Sequence, residues 1–102
     1  MATSDLQGKS RAILVEVNYA KGDRIIITDN EMITTRKNLM KNNQVALLAF
    51  EEDYSYSLKI LGEAEYHTKD KHFDFVKSLE SNKNYSPEGA VVISIKEIIE
   101  IK

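Results

Sequence analysis

The chain has 102 residues, the length of one small domain, and its formal charge of −2 results from 14 basic and 16 acidic residues. This balance excludes a broad cationic surface for a nucleic-acid backbone, and no apolar run approaches the roughly 20 residues of a membrane span. The sequence contains no cysteine, and its first residues lack the pattern of a signal peptide. We therefore expect a cytoplasmic protein without disulfides or thiolate zinc sites.

The first part of the chain predicts β-strands. Residues 12–17 and 24–28 are rich in β-branched side chains, and the segment 21–23 between them has the composition of a turn. We interpret the two runs as an antiparallel hairpin. A polar loop at residues 4–9 precedes it, which indicates that residues 1–4 end an earlier strand.

A helical pattern follows at residues 34–43. Thr34 or Thr35 can cap the start of this helix, and Leu39 and Met40 provide its buried side. The helix interrupts a sequence that otherwise consists mainly of predicted strands.

The second half of the chain predicts three more strands, at residues 45–50, 56–67 and 90–95. Gly62 marks a bulge or a close approach within the long strand. Asp70 can cap a second short helix, whose apolar face consists of Phe75, Val76 and Leu79. Hairpin-linked strands with two short helices predict an antiparallel barrel or sandwich.

Few residues suggest catalytic or metal chemistry. Nothing forms a nucleophilic triad or a glycine-rich phosphate loop, and we predict no catalytic side chain. His67 and His72 lie five residues apart, and no acidic residue has the spacing that would complete a metal site with them. We therefore expect structural or surface roles for both histidines and no bound metal, with zinc as an alternative.

The segment 28–39 carries the strongest functional signal. It leads from a buried strand through a polar turn into a helix start that bears Thr34, Thr35 and Arg36. The free N–H groups and the dipole of a helix start attract anions such as phosphate, and hydroxyl and guanidinium groups add donors. The alternative is an ordinary capped helix with solvated basic residues.

The same segment resembles the central motif of the pyridoxamine 5′-phosphate oxidase-like, FMN-binding split-barrel proteins. The residues that carry the resemblance are Ile25 to Met32, Thr35, Asn38-Leu39, Asn42-Asn43 and Val45-Ala46-Leu47. Other parts of the family pattern are similar to Gly8-Lys9 with the strand 11–17, to Leu61-Gly62-Glu63-Ala64, and to residues 75–79 followed by 89–93. The resemblance thus covers about residues 1–102.

This resemblance implies a mostly β protein with an antiparallel split β-barrel of Greek-key type and two short helices. It also implies one FMN-binding domain over residues 1–102 and a homodimer that holds one FMN in each of two clefts at the subunit interface. Family domains usually begin with a helix and a complete first strand. This chain opens almost at the first loop, so we expect that helix and part of that strand to be absent.

The resemblance also assigns cofactor-binding residues by position. The FMN phosphate would lie at the helix start, and the flavin ring and ribityl chain would run beside two strand segments. The implied set is Leu14, Val15, Glu16, Thr28, Asp29, Asn30, Ile33, Thr34, Thr35 and Arg36. Thr34 stands where family members usually have a lysine or arginine, so the positive charge would come from Arg36 or Lys37.

The implied function is a flavin-dependent oxidoreductase or electron carrier that acts on a small molecule or a redox protein. One alternative is a split-barrel dimer that has lost FMN and binds another small ligand or a protein. A haem-binding relative of the same fold is a third. Pyridoxamine 5′-phosphate oxidase activity itself is not expected, because the chain is about half the usual size of that enzyme. Neither a nucleic acid nor a membrane is an expected partner.

Overall fold

Seven antiparallel strands form one sheet in the computed structural model, which describes residues 1–101. The elements in chain order are β1 (Ala2–Ser4), β2 (Ser10–Ala12), β3 (Val17–Lys21), β4 (Arg24–Asp29), α1 (Ile33–Lys41), β5 (Gln44–Phe50), β6 (Ser57–His67), α2 (Lys71–Ser78), a 3-10 helical turn (Glu80–Asn82) and β7 (Gly89–Glu100). The strand order is β2-β1-β5-β6-β7-β4-β3. The predicted mostly β architecture with two short helices is confirmed.

The sheet curls until its two edges approach each other. β2 and β3 lie at opposite edges, yet only residues 13–16 connect them. Seven flat strands would hold the outer strands about 29 Å apart, whereas the five Cα steps from Ala12 to Val17 span at most about 18 Å. The sheet is therefore a barrel, and the link 13–16 bridges its split. β4 lies beside β7 rather than β5, which gives the Greek-key order.

The predicted first hairpin needs a correction. β4 pairs with β3, with Lys21 opposite Arg24 across the turn, whereas the predicted partner was the run 12–17. Ala12 ends β2, which pairs with β1 at the far edge, and the following residues leave the sheet to cross the split. A run of apolar and β-branched side chains therefore predicted a strand where the chain forms a bridge. The earlier strand at residues 1–4 is confirmed as β1.

The core lies on both faces of β4 and β7. Alternate residues of a strand point to opposite faces, so each of these strands contributes to two clusters. Inside the barrel pack Ile25, Ile27, Leu39, Val45, Leu47, Ala64, Val91 and Ile93. Between α2 and the outer face of the sheet pack Ile26, Val76, Ala90 and Val92, with Phe73, Phe75 and Leu79 against them. Burial on both faces explains why these two strands are continuously apolar.

The first helix differs from its prediction at both ends. It runs from Ile33 to Lys41, so Thr34 and Thr35 lie inside its first turn and neither caps it. The carboxylate of Asp29 accepts the backbone N–H of Met32 at 2.7 Å and so takes over the capping task from outside the helix. Leu39 is buried as predicted, but 59% of Met40 is exposed.

Two other local predictions are confirmed. The pairing of β6 with β7 shifts register between Leu61 and Gly62, so Gly62 does mark a bulge. A Cβ there would lie 2.7 Å from both Ile93 Cγ2 and the Ser94 carbonyl oxygen, which explains why glycine is needed. Asp70 caps α2 by accepting the N–H groups of His72 and Phe73. Within residues 1–101, neither helix has the length and apolar character to cross a membrane.

Candidate functional site

A cleft of about 440 Å³ opens beside the link 13–16, within the range of small-molecule sites. The link forms one wall, the end of β4 and the start of α1 form the floor, and the segment after α2 forms the other wall. The lining residues are Arg11, Ile13, Leu14, Val15, Glu16, Asn18, Thr28, Asn30, Glu31, Met32, Ile33, Thr35, Ser81, Asn82 and Tyr85. Three separate stretches of the chain, 11–18, 28–35 and 81–85, thus meet at one site.

The structure brings together most of the residues that the resemblance implied. The seven of them that line the cleft are Leu14, Val15, Glu16, Thr28, Asn30, Ile33 and Thr35. The other three, Asp29, Thr34 and Arg36, do not line it. Asp29 and Arg36 contact each other directly below the floor instead.

The floor of the cleft is a network of amide and hydroxyl groups. Thr28 donates from its hydroxyl and its backbone N–H to Asn18 Oδ1, at 2.7 and 3.0 Å. Asn82 is buried and donates from Nδ2 to Thr28 Oγ1 at 2.9 Å and to the Val76 carbonyl oxygen at 2.8 Å. Asn30 Nδ2 donates to Asn82 Oδ1 at 3.2 Å. These bonds hold the polar side chains in fixed orientations.

One acceptor in this network has no partner within the described residues. Asn30 Oδ1 is buried and receives no hydrogen bond, although Asn30 lines the cleft. A buried carbonyl oxygen without a donor costs free energy, so such an atom favours a ligand that supplies an N–H or O–H. A flat heterocycle with an imide N–H, such as the flavin ring of FMN, fits this requirement.

Asp29 lies just below the floor and is fully buried. Its Oδ1 accepts the N–H of Met32, and its Oδ2 accepts Arg36 Nε at 2.7 Å and the hydroxyl of Tyr66. The hydrogen bond to Asp29 raises the pKa of Arg36, while burial and the same carboxylate raise the pKa of Tyr66. The charge of Arg36 is therefore compensated inside the protein.

Arg11 is the one cationic side chain among the described residues that line the cleft. It is exposed, and no salt bridge pairs it with another described residue. The carboxylates of Glu16 and Glu31 also line the cleft, but both residues are exposed, where solvent and salt screen charge. An anionic ligand group thus has one available counter-charge.

Eight lining residues lie outside the implied set: Arg11, Ile13, Asn18, Glu31, Met32, Ser81, Asn82 and Tyr85. Arg11 stands next to the predicted segment 12–17, so its neighbourhood was a usable signal. Asn82 and Tyr85 lie in the segment after α2, more than 65 residues after the link 13–16, and the pairing of β4 with β7 brings that segment to the site. No local pattern could have found them.

The chain is similar to a known protein family and to one further protein over most of its length. A model of the pyridoxamine 5′-phosphate oxidase family matches residues 1–102. An uncharacterized protein of Methanocaldococcus jannaschii is 33% identical over 91 residues, which cover 86% of this chain and 60% of that protein. The chain therefore spans about three fifths of the length of that relative.

Solved structures share the fold. HupZ of Group A Streptococcus matches with a TM-score of 0.86 and 17% identity, over 98% of this chain and 81% of that one. An FMN-binding protein of Syntrophomonas wolfei subsp. wolfei matches with a TM-score of 0.81 and 18% identity, over 99% of this chain and 74% of that one. The chain belongs to the pyridoxamine 5′-phosphate oxidase family and has the antiparallel split-barrel fold of its FMN-binding relatives.

Proposed function

We propose that the chain binds FMN in the cleft beside the link 13–16 and works as a flavin-dependent oxidoreductase or electron carrier. The observation that carries the proposal is Asn30 Oδ1, a buried acceptor with no donor among residues 1–101, in a cleft lined by segments that the family resemblance implied. Bound FMN would supply the redox chemistry, and the protein would supply binding, orientation and exclusion of water.

Arg11 and Thr35 are the proposed phosphate ligands. Arg11 pairs with Thr3 across β1 and β2, so the two side chains share one face of the sheet. Thr3 Oγ1 accepts Asn38 Nδ2 at 3.1 Å, and Thr35 lies one turn before Asn38 on the same buried side of α1. This chain of contacts supports a position for Arg11 near the start of α1, opposite the Thr35 hydroxyl.

A homodimer would complete the cleft. Leu14 is 94% exposed and Ile33 is 60% exposed, although both line the cleft. Large apolar side chains at the mouth of a site lose contact with water when another surface covers them. We infer that a second copy of the chain packs there, in a cytoplasmic protein whose partners are a small molecule or a redox protein.

A flavin titration of the Arg11→Ala variant tests the proposed phosphate site. We expect wild type to bind FMN, and Arg11→Ala to bind it about 10–100-fold more weakly, because a charged hydrogen bond contributes about 1.5–3 kcal/mol. Riboflavin lacks the phosphate, so its affinity should be equal in both proteins. Quenching of flavin fluorescence gives both dissociation constants.

Arg24→Ala is the matched control, since Arg24 is exposed at the start of β4 and does not line the cleft. It should leave FMN binding unchanged. Equal losses in the two arginine variants would refute the assignment of Arg11. If the wild-type protein binds neither FMN nor riboflavin, the cofactor proposal itself is refuted.

The second candidate is a split-barrel dimer that binds a ligand without a phosphate group. It is favoured by the pairing of Arg36 with Asp29, which leaves a single cation in the cleft beside two carboxylates. In that case riboflavin or another neutral heterocycle would bind at least as tightly as FMN, and Arg11→Ala would not discriminate between them. The same titration therefore separates the two functions.

A further inference from the structure

Two histidines and an aspartate meet where β6 ends and α2 begins. His67 is the last residue of β6, Asp70 is the N-cap of α2, and His72 lies in the first turn of α2. One ligand atom from each lies within 4.8 Å of the others, and the two imidazole rings are 4.5 Å apart between centroids. The fold thus brings together side chains whose sequence spacing alone did not predict a site.

The two oxygens of Asp70 have separate tasks. Oδ1 accepts the N–H of His72 at 3.0 Å and that of Phe73 at 3.4 Å, which fixes the helix start. Oδ2 faces the histidines: it is hydrogen-bonded to His67 Nδ1 and lies 3.6 Å from His72 Nδ1. The cap therefore holds Oδ2 beside both histidines, where a metal ion would replace its hydrogen bond to His67 Nδ1.

Both histidines have a buried ring nitrogen without a hydrogen-bond partner in the described residues. These atoms are His67 Nε2 and His72 Nδ1. His72 Nδ1 faces Asp70 Oδ2, while His67 Nε2 lies 3.6 Å from Glu65 Oε1. A buried polar nitrogen without a partner costs free energy. A metal ion beside Asp70 Oδ2 would give His72 Nδ1 a partner, whereas His67 Nε2 lies on the Glu65 side.

We propose that His67, Asp70 and His72 bind a divalent transition-metal ion, with Zn²⁺ as the reference case. The ligands would be Nδ1 of each histidine and Oδ2 of Asp70. Metal–nitrogen bonds of about 2.0–2.1 Å in a tetrahedral site place neighbouring donors about 3.3 Å apart, close to the 3.6 Å between His72 Nδ1 and Asp70 Oδ2. Two imidazoles and one carboxylate suit zinc, nickel, cobalt or copper(II), and they leave a fourth position for water.

Glu65 completes the arrangement. When His67 binds through Nδ1, its Nε2–H would be free to close the 3.6 Å to Glu65 Oε1, and the carboxylate would then orient the ring as outer carboxylates do in histidine metal sites. His67 and Tyr66 are neighbours on β6, so their side chains leave opposite faces of the sheet. The metal site therefore lies on the α2 side, away from Asp29, and this inference does not depend on flavin binding.

The test is metal binding to the full chain without a histidine tag. The chain has only two histidines and no cysteine, so imidazole NMR signals and the visible absorption of bound Co²⁺ report on this site alone. We expect one equivalent of Zn²⁺ to bind in competition with a chromophoric chelator and to raise the thermal unfolding midpoint. His72→Ala removes a direct metal ligand. Its affinity for Zn²⁺ should therefore fall by more than the roughly 10–100-fold that loss of a hydrogen-bond partner of a ligand causes.

Asp70→Asn is the decisive variant, since asparagine also caps helices and the fold should survive. It should weaken Zn²⁺ binding by more than about 10-fold, whereas its matched control Asp74→Asn, which removes the same charge one turn later, should not. Affinity in His72→Ala or Asp70→Asn within about 3-fold of wild type would overturn the proposal, as would an equal loss in Asp74→Asn. Glu65→Gln should lose about 10-fold and leave the stoichiometry unchanged.

Discussion

At the scale of single residues, Asp29 is the charge around which the end of β4 is organised. It is fully buried and satisfied by a backbone N–H, a guanidinium and a phenol hydroxyl. A buried carboxylate that loses a partner keeps the cost of desolvation without its compensation. Arg36 and Tyr66 are therefore needed for stability, whatever the cleft binds.

Tyr66→Phe should remove one component of the alkaline sensitivity of the protein. Burial raises the pKa of Tyr66 above its ordinary value of 10.0. Because the folded state has the higher pKa, the contribution of Tyr66 to stability is complete below pH 10 and declines as the pH rises above it. Urea unfolding between pH 8 and 11 should show a steeper loss of unfolding free energy in wild type than in Tyr66→Phe.

The variant should also be less stable at neutral pH, by about 1.5–3 kcal/mol, because a hydrogen bond to a charged acceptor is lost. Tyr54→Phe alters an exposed tyrosine and serves as control. Parallel pH profiles for wild type and Tyr66→Phe would contradict the assignment.

Many residues of the cleft could be predicted from the sequence. Which of them face the cleft and which stabilise the fold below it could not. A polar turn before a helix can bind an external anion or cap the helix itself, and residues 28–36 satisfy both descriptions. Asp29 acts within the protein because it is completely buried, and burial depends on β7 and Tyr66, far away in the sequence. Arg11 was missed because its position depends on pairing with β1.

At the scale of elements, the pairing of β6 with β7 depends on two glycines. Gly62 allows the close approach at the bulge, and Gly89 makes room for the ring of Tyr66. A Cβ on Gly89 would lie 2.6 Å from the Tyr66 hydroxyl oxygen, too close for any side chain. The start of β7 and the position of the phenol are thus coupled.

Gly89→Ala should destabilise the protein by about 1–3 kcal/mol, the usual cost of overpacking, because the ring of Tyr66 must leave Asp29. Combining Gly89→Ala with Tyr66→Ala removes the clash. The double variant should therefore lose less unfolding free energy than the sum of the losses in the two single variants. Chemical denaturation of the four proteins measures this coupling. Strictly additive losses would show that Gly89 acts through something other than Tyr66.

Elements with a strong local signal were predicted well, and those that depend on topology were not. The cap of α2 lies within its own sequence, at Asp70. The first hairpin was misplaced because an apolar, β-branched run such as 12–17 is typical of an extended chain, whether or not it has a strand beside it. Only the strand order shows that these residues leave one sheet edge and reach the other.

At the scale of the whole molecule, two exposed apolar side chains border the cleft. Leu14 is almost completely exposed at the mouth of the cleft, and Ile33 faces it from the start of α1. Such a surface supports the proposed dimer, in which each copy would cover the site of the other.

Leu14→Glu should shift the proposed dimer toward monomer and weaken FMN binding, because a charge at a covered apolar position must be desolvated. Sedimentation velocity over a concentration series measures the first effect, and flavin fluorescence the second. Leu6→Glu is the matched control, since Leu6 is 73% exposed in the loop between β1 and β2 and does not line the cleft. Identical sedimentation of wild type and Leu14→Glu would argue against this surface as the interface.

The link 13–16 couples ligand binding to closure of the barrel. This link bridges the split of the barrel and also forms a wall of the cleft. The Ile13 N–H donates to the Met1 carbonyl oxygen at 3.0 Å and so anchors the start of the link. A ligand bound against the link 13–16 must dissociate before the barrel can open there. Ligand binding and barrel closure are therefore thermodynamically linked. The backbone amide hydrogens of residues 13–16 should therefore exchange more slowly with solvent as the fraction of protein with bound ligand increases.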